Sequence, residues 1–172
     1  MPADDWGISG QCWISFKTRN VPVRIYEGGV LEIVFLATFI AAAIYIRETI
    51  IPTIAFFLAV IFMASLLHEF GHIIMAKLTN MPIVAFAITA GGMRVCIEDK
   101  DKDKKQRLLV MLGGIAANIT IAILCIALRV FEIFPKEHLE SLAFLNLCIG
   151  LGQLIPFWGS DGENVLKILR EK

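Results

Sequence analysis

Long apolar runs separated by short polar stretches divide this 172-residue chain. Four runs are candidates for membrane-spanning helices: Val30–Ile46, Thr49–Leu67, Leu108–Leu128 and Ser141–Ser160. A bilayer core requires about 20 apolar residues in a helix, and the last three runs supply them. The first run is short for a span, and it also contains Glu32. Because lipid offers backbone groups no hydrogen-bond partners, the pattern predicts about four transmembrane helices.

The composition agrees with a membrane protein. Hydrophobic residues make up 57% of the chain and charged residues 19%, whereas an ordinary soluble domain is about 45–50% apolar and about 25% charged. A soluble domain of this size buries too small a share of its surface to hide so many apolar side chains. The 16 basic residues balance the 16 acidic ones, so no general positive field favours nucleic acid as a partner.

The positive charges are unevenly divided between the two sides of the predicted spans. All but three of the 16 Lys and Arg residues fall on the side that holds both termini and the connection after the second run. The other side carries Arg47, Arg129 and Lys136. By the positive-inside rule, both termini lie in the cytoplasm and the protein is a multi-pass component of the cell membrane. We therefore expect a cytoplasmic N-terminal segment, residues 1–29, followed by a membrane domain, residues 30–172.

A short strand pattern lies between the second and third runs. The stretch Ile83–Ile97 is rich in β-branched and other apolar residues, with Gly91 and Gly92 at its middle. Such a stretch predicts a short β-hairpin, here at the cytoplasmic membrane surface. The predicted fold is thus an all-α polytopic membrane protein with about four transmembrane helices and one small hairpin.

Two of the three histidines stand in the sequence His68-Glu69-Phe70-Gly71-His72, where the second apolar run ends. Side chains four residues apart share one face of a helix, so both imidazoles can reach a single zinc ion. Glu69 then lies beside the metal and can take a proton from water. Polar groups inside a membrane span are costly and usually mark a functional site. The alternatives are a pair of hydrogen-bonded core histidines and, less favoured because both rings lie on one face, haem ligation.

A catalytic zinc site needs a third protein ligand, and the best candidate is Asp161, at the far end of the fourth span. Along a helix, His72 lies about 7.5 Å and His68 about 13 Å before Lys77 at the cytoplasmic boundary, and the aspartate lies about 9 Å before the boundary of its own span. Because spans two and four run in the same direction, the three side chains can meet at one level. Pro156 and several nearby glycines predict a break that brings the aspartate to the metal. The alternative is a kinked packing helix whose aspartate marks its end.

Taken in order, these motifs resemble those of the site-2 proteases, zinc metalloproteases that cut within membranes. The resemblance runs from about Leu66 to Leu169. The family's zinc-binding helix is similar to residues 68–72, and its N-x-x-P-x-x-x-x-D-G motif is similar to the stretch from Gln153 to Gly162. Its G-P-x-x-N motif is similar to Gly114–Asn118. The Gly91-Gly92 turn is similar to one in the compact sporulation-type branch of the family.

The resemblance implies a three-helix catalytic core that holds one zinc ion. The ligands would be His68, His72 and Asp161, and Glu69 would be the catalytic acid/base. The implied activity is that of a metalloendopeptidase that hydrolyses peptide bonds in or next to transmembrane segments, as in regulated intramembrane proteolysis. The implied partners are the lipid bilayer, a membrane-protein substrate and a regulatory membrane partner.

Two motif positions, Gln153 and Asn118, are predicted to bind substrate. Gln153 stands where the family has asparagine, Ile115 replaces a proline, and Glu163 replaces a second glycine. Glutamine keeps the donors and the acceptor of the amide on a longer stem, so we expect altered specificity more than loss of activity. Two other functions stay open: a catalytically silent homologue that binds membrane proteins, and a metal transporter that uses the same ligands.

Overall fold

The computed structural model describes residues 8, 11–18, 21–46, 50–90, 92–99, 102–131, 135–157 and 159–171. Its elements are, in chain order, β1 (Cys12–Thr18), β2 (Val21–Tyr26), α1 (Glu27–Ile46), α2 (Ile50–Leu78), β3 (Ile83–Thr89), β4 (Gly92–Ile97), α3 (Lys104–Leu128), a 3-10 turn (Arg129–Phe131), α4 (Lys136–Leu154) and α5 (Asp161–Arg170). The chain divides into two compact units, Met1–Phe62 with Pro82–Glu98 and Met63–Met81 with Asp99–Lys172. The sheet and α1 belong to the first unit, and all residues of the candidate site belong to the second.

A four-stranded sheet in the order β1-β2-β3-β4 is the centre of the first unit. Strands β1 and β2 pair antiparallel, as do β3 and β4, while β2 and β3 pair parallel. The hairpin predicted over Ile83–Ile97 is present as β3 and β4, with Thr89 opposite Gly92. The prediction of an all-α fold with one short hairpin is nevertheless wrong in one respect, since this hairpin is only half of a larger sheet.

The two strands that the sequence analysis missed lie within residues 1–29. In β1, the apolar Ile14 and Phe16 alternate with Ser15 and Lys17, a period of two that is typical of strands. The pattern is short and lies outside the long apolar runs. The strands join a larger sheet only because β2 pairs with β3, which is remote in sequence. A small core then forms from buried side chains of the first unit, namely Ile8, Tyr26, Ala85, Ala87 and Cys96.

The helices α2 and α3 coincide with the second and third apolar runs and continue beyond them into polar sequence. Helix α2 has 29 residues and α3 has 25. Within the described part of the chain, two helical stretches are long and apolar enough to cross a membrane, Ile50–Leu78 and Lys104–Phe131. Helices α1, with 20 residues, and α4, with 19, occupy the positions of the first and fourth runs. The fold is thus mostly helical, with two candidate membrane helices and a small sheet.

In the second unit, α2 and α3 come into close backbone contact at two glycines. A Cβ atom built on Gly71 would lie 2.3 Å from the carbonyl oxygen of Gly113, and one built on Gly113 would lie 2.7 Å from the carbonyl oxygen of Gly71. Any larger residue would force the two backbones apart. Farther along α3, buried side chains of α3 and α4 form a small apolar core: Ala122, Cys125, Leu139 and Ala143.

The fourth apolar run is broken near Pro156, as predicted. Helix α4 ends at Leu154, and α5 begins at Asp161 after a non-helical turn. Proline lacks the N–H that would continue the helix, and Gly159 takes a left-handed φ of 85° that suits glycine. The break places Asp161 in the first turn of a new helix, α5, which the sequence analysis did not predict.

Candidate metal centre

The two histidines of the H-E-x-x-H motif face the same point from α2. Both side chains are buried, His68 with 4% and His72 with 5% of the residue exposed. Their Nε2 atoms lie 3.2 Å apart. The four-residue spacing on a regular helix produces this arrangement, because it places both side chains on one face.

Asp161 completes the cluster from the first turn of α5. Its Oδ2 atom lies 2.9 Å from Nε2 of His68 and 3.2 Å from Nε2 of His72. The ligand atoms of the three residues all lie within 4.8 Å of one another. The structure therefore brings together the three residues that the sequence predicted as metal ligands.

The other nitrogen of each imidazole is held on the far side of the ring. Nδ1 of His72 lies 2.7 Å from the carbonyl oxygen of Val110, and Nδ1 of His68 lies 3.1 Å from Oδ1 of Asn118. Both partners are acceptors, so each Nδ1 carries the proton and donates it. In the neutral rings that bind a metal, Nε2 is then the nitrogen with the free lone pair, and it faces Asp161.

The donor set fits a zinc ion. Two imidazole nitrogens and one carboxylate oxygen are zinc ligands, and three protein ligands with one open position characterise catalytic zinc sites. Ligand atoms about 2.0–2.1 Å from a tetrahedral ion lie about 3.3 Å apart, close to the 2.9–3.2 Å separations found here. The space beside the two Nε2 atoms is open because residue 114 is a glycine. A Cβ atom on Gly114 would lie 2.5 Å from Nε2 of both His68 and His72.

The turn between α4 and α5 fixes the position of Asp161. The fully buried Ser160 is the N-cap of α5, and its Oγ accepts a hydrogen bond from the backbone N–H of Glu163 at 3.1 Å. The carboxylate of Glu163 in turn accepts a hydrogen bond from the backbone N–H of Gly159 at 2.8 Å. Such reciprocal capping satisfies the free N–H groups at a helix start and fixes its geometry. Glu163, which stands where the site-2 protease motif has a second glycine, thus helps to hold the turn before Asp161.

The remaining predicted site residues lie around this cluster in different environments. Glu69 is half-buried and follows His68 directly on α2. Gln153 is half-buried, and its Oε1 accepts a hydrogen bond from the backbone N–H of Asp161 at 3.4 Å. Asn118 is fully buried and contacts His68. Asn118 thus bonds to a metal-site histidine and Gln153 to the backbone of α5, and their binding of substrate stays a prediction.

Sequence reasoning missed several residues that shape the site. The carbonyl of Val110 acts through the backbone, so no side-chain signal marks it. Ser160 stood directly before the predicted ligand, and the S-x-x-E spacing to Glu163 is the signature of a helix start that could have revealed it. Asn146, which is buried on α4, was visible only as a polar residue in an apolar run.

Comparison with known proteins finds similarity to zinc metalloproteases. The profile of Peptidase family M50 matches residues 56–137, which include the H-E-x-x-H motif. A zinc metalloprotease of Methanocaldococcus jannaschii is 27% identical over 159 residues, 91% of this chain. The stage IV sporulation protein FB of Bacillus subtilis is 27% identical over 108 residues, 62% of this chain. Residues 56–137 are thus similar to peptidase family M50. The resemblance to the site-2 proteases is confirmed.

The fold is also similar to that of a solved structure. A site-2 protease from Methanocaldococcus jannaschii superposes with a TM-score of 0.67 over 91% of this chain and 70% of that protein, at 24% identity. The chain spans less than half the length of the two curated relatives, 45% of the metalloprotease and 38% of the sporulation protein. Zinc is the metal that the M50 family implies, and the cluster of His68, His72 and Asp161 offers it a fitting ligand set.

Proposed function

We propose that this protein is an intramembrane zinc metalloendopeptidase that cleaves membrane-bound proteins in or next to their transmembrane segments. The observation that carries the proposal is the convergence of two imidazole nitrogens and one carboxylate oxygen from α2 and α5, with the carboxylate of Glu69 on the adjoining residue. Three ligands leave one position open for water and substrate, which is the arrangement of a hydrolytic zinc site.

We assign the roles as follows. His68, His72 and Asp161 hold the metal, which when bound supplies the Lewis acidity that makes water and a peptide carbonyl more reactive. Glu69 is the general base that takes a proton from the attacking water and then passes it to the leaving amine. Its place next to a metal ligand keeps it near the reacting atoms without making it a fourth ligand. The buried imidazoles and their Nδ1 partners keep the site fixed during the reaction.

The membrane arrangement is part of the proposal. We assign four transmembrane helices to α1, α2, α3 and α4, of which the last three form the catalytic core. Residues 1–29 form a cytoplasmic segment and residues 30–172 the protease domain, with both termini in the cytoplasm. The apolar lengths of the four helices and the one-sided distribution of Lys and Arg support this topology in a cell membrane.

The proposed substrates are membrane-bound proteins that present an unwound segment to the site. A helical substrate shields its backbone carbonyls in hydrogen bonds, so it has to unwind before water can attack. Gln153 lies in the last turn of α4, is half-buried and bonds to the backbone N–H of Asp161, so we propose that it contacts substrate as well as the α5 backbone. A regulatory membrane partner would act on access to this site.

The test compares wild type with Glu69→Gln, reconstituted in proteoliposomes with tagged single-span helices that carry a Gly-Pro break at different depths. We expect wild type to cut the probes with a break near the site, and the variant to lose at least about 100-fold in rate because it lacks a general base. Bound zinc should be unchanged, since Glu69 is not a ligand. Glu137→Gln, on the exposed first turn of α4, is the matched control and should cleave normally.

The same preparations separate the two rival functions. A catalytically silent binding protein would retain zinc and the helical probes but release no product in wild type. A metal transporter would move zinc across the liposome membrane, with or without Glu69. Product release that is unaffected by Glu69→Gln would contradict the proposed role of this residue.

A further inference from the structure

Two asparagines are buried among the helices of the second unit. Asn118 on α3 is 0% exposed and Asn146 on α4 is 1% exposed. Burying an amide costs free energy unless its hydrogen bonds are made. An apolar side chain of similar volume would fill either place at lower cost, so the bonds that these amides make need an explanation.

The two amides form a series of hydrogen bonds that ends at a metal-site histidine. Nδ2 of Asn146 donates to the carbonyl of Leu142 at 2.8 Å, within its own helix. Nδ2 of Asn118 donates to Oδ1 of Asn146 at 3.4 Å and to the carbonyl of Ala64 at 3.5 Å. Oδ1 of Asn118 accepts from Nδ1 of His68 at 3.1 Å.

Each bond in this series fixes the direction of the next one. Because the backbone carbonyl of Leu142 is only an acceptor, Asn146 turns its NH₂ toward that carbonyl and its oxygen toward Asn118. Asn118 must then present its own NH₂ to that oxygen, which leaves its Oδ1 facing His68. An acceptor at this position requires the proton of His68 on Nδ1, so in the neutral ring Nε2, which faces Asp161, carries the lone pair that can bind a metal.

We propose that Asn146 is a positioning residue that, through Asn118, fixes the tautomer and the ring orientation of the metal ligand His68. The proposal rests on the metal site of the proposed function, but not on peptide hydrolysis. His72 provides the internal contrast, because its Nδ1 donates to the backbone carbonyl of Val110 and depends on no side chain. One ligand is thus oriented by the backbone, and the other by two side chains in series.

The test is a double-mutant cycle read out as zinc affinity, with Asn118→Leu, Asn146→Leu and the double variant. Zinc dissociation constants are measured on detergent-purified protein by competition with a chromogenic chelator. Changes to groups that orient metal ligands typically cost 10–100-fold in metal affinity. We expect about 100-fold for Asn118→Leu, about 10-fold for Asn146→Leu, and about 100-fold for the double variant. The second change adds nothing because Asn146 acts only through Asn118.

Two controls and a spectrum separate positioning from loss of structure. Thr120→Val on α3 and Ser141→Ala on α4 each remove a hydroxyl that bonds only to its own helix, and both should bind zinc as wild type does. The Co²⁺-substituted protein should show altered d–d absorption in Asn146→Leu and not in the controls, since the bands report ligand geometry. If the leucine variants fail to fold, Asn146→Ser is used instead. Its smaller side chain no longer reaches Asn118, and the loss of zinc affinity should be the same.

Three results would overturn the proposal. The first is a folded Asn146→Leu protein whose zinc affinity stays within about twofold of wild type. The second is a double variant whose loss equals the product of the two single losses, because Asn146 would then act independently of Asn118. The third is an unchanged Co²⁺ spectrum in Asn146→Leu. If the protein binds zinc as expected but cleaves no helical probe, the proposed peptidase function fails while this inference stands.

Discussion

Gly114 faces the point where the ligand atoms meet, so a single methyl group there tests the metal site directly. In Gly114→Ala the new Cβ would lie 2.5 Å from Nε2 of His68 and 2.5 Å from Nε2 of His72. Ordinary contact begins at 3.4 Å, so each ring would have to retreat by about 0.9 Å. Neither ring has free space for this, since their Nδ1 atoms are held at 3.1 and 2.7 Å on the opposite side.

The size of the expected effect follows from these distances. Metal–ligand distances tolerate deviations of about 0.2 Å, and the required retreat is several times larger for two of the three ligands. Changes in groups that only orient the metal ligands lower metal affinity 10–100-fold. Displacing two ligands directly should therefore weaken zinc binding by at least about 100-fold. Peptide hydrolysis should fall with the bound zinc.

The assay measures zinc bound per protein after equilibration with chelator-buffered zinc, together with the melting temperature of the metal-free protein. Gly152→Ala is the matched control, because its Cβ would meet no atom within 4 Å and alanine is favourable within a helix. It should bind zinc as wild type does. A folded Gly114→Ala protein that binds zinc within about threefold of wild type would refute the assignment of this space to the metal.

Three further predictions concern the scaffold around the site. Gly71→Ala puts a Cβ 2.3 Å from the carbonyl oxygen of Gly113, so we expect it to lower the free energy of unfolding by about 1–3 kcal/mol, measured by denaturant titration in detergent. Ser160→Ala removes the N-cap of α5 and should cost about 1 kcal/mol in the same titration and weaken zinc binding, whereas unchanged zinc affinity would argue against its positioning role. Hydrogen bonds from the Arg107 guanidinium hold the pKa of the Glu171 carboxyl below its ordinary value of 4.5. This ion pair stabilises the fold above pH 4.5 and is lost as the pH falls through the lowered pKa, so the melting temperatures of wild type and Glu171→Gln should converge in acid.

The predicted metal site was accessible to sequence reasoning because its signals are local. The four-residue spacing of His68 and His72 implies one helix face without any knowledge of the fold. Asp161 was found from the direction of the spans and from the break at Pro156, both of which depend on helix geometry alone. The helix that begins at Asp161 after the N-cap Ser160 was not predicted, although the break before it was.

The features that sequence reasoning did not recover depend on contacts between distant segments. Strand β2 pairs in parallel with β3, which follows two long helices later, and no local pattern specifies such a partner. The contact between Asn118 and His68 likewise requires the packing of α3 against α2. The motif resemblance carries no such contact, so it did not reveal the bond between Asn118 and His68.

The register between α2 and α3 links these observations, because the site residues on both helices recur at intervals of four. On α2 they are Ala64, His68 and His72, and on α3 they are Val110, Gly114 and Asn118. The helices pair these rows in antiparallel order, with Asn118 bonded to the carbonyl of Ala64 and the carbonyl of Val110 bonded to His72, as expected when rows of four-spaced residues pack together. Gly114 then necessarily falls opposite the two Nε2 atoms. A shift of one turn would put the side chain of Val110 or Asn118 in that place and close the metal site, so the glycine contact between Gly71 and Gly113, which fixes the register, is a condition of the chemistry.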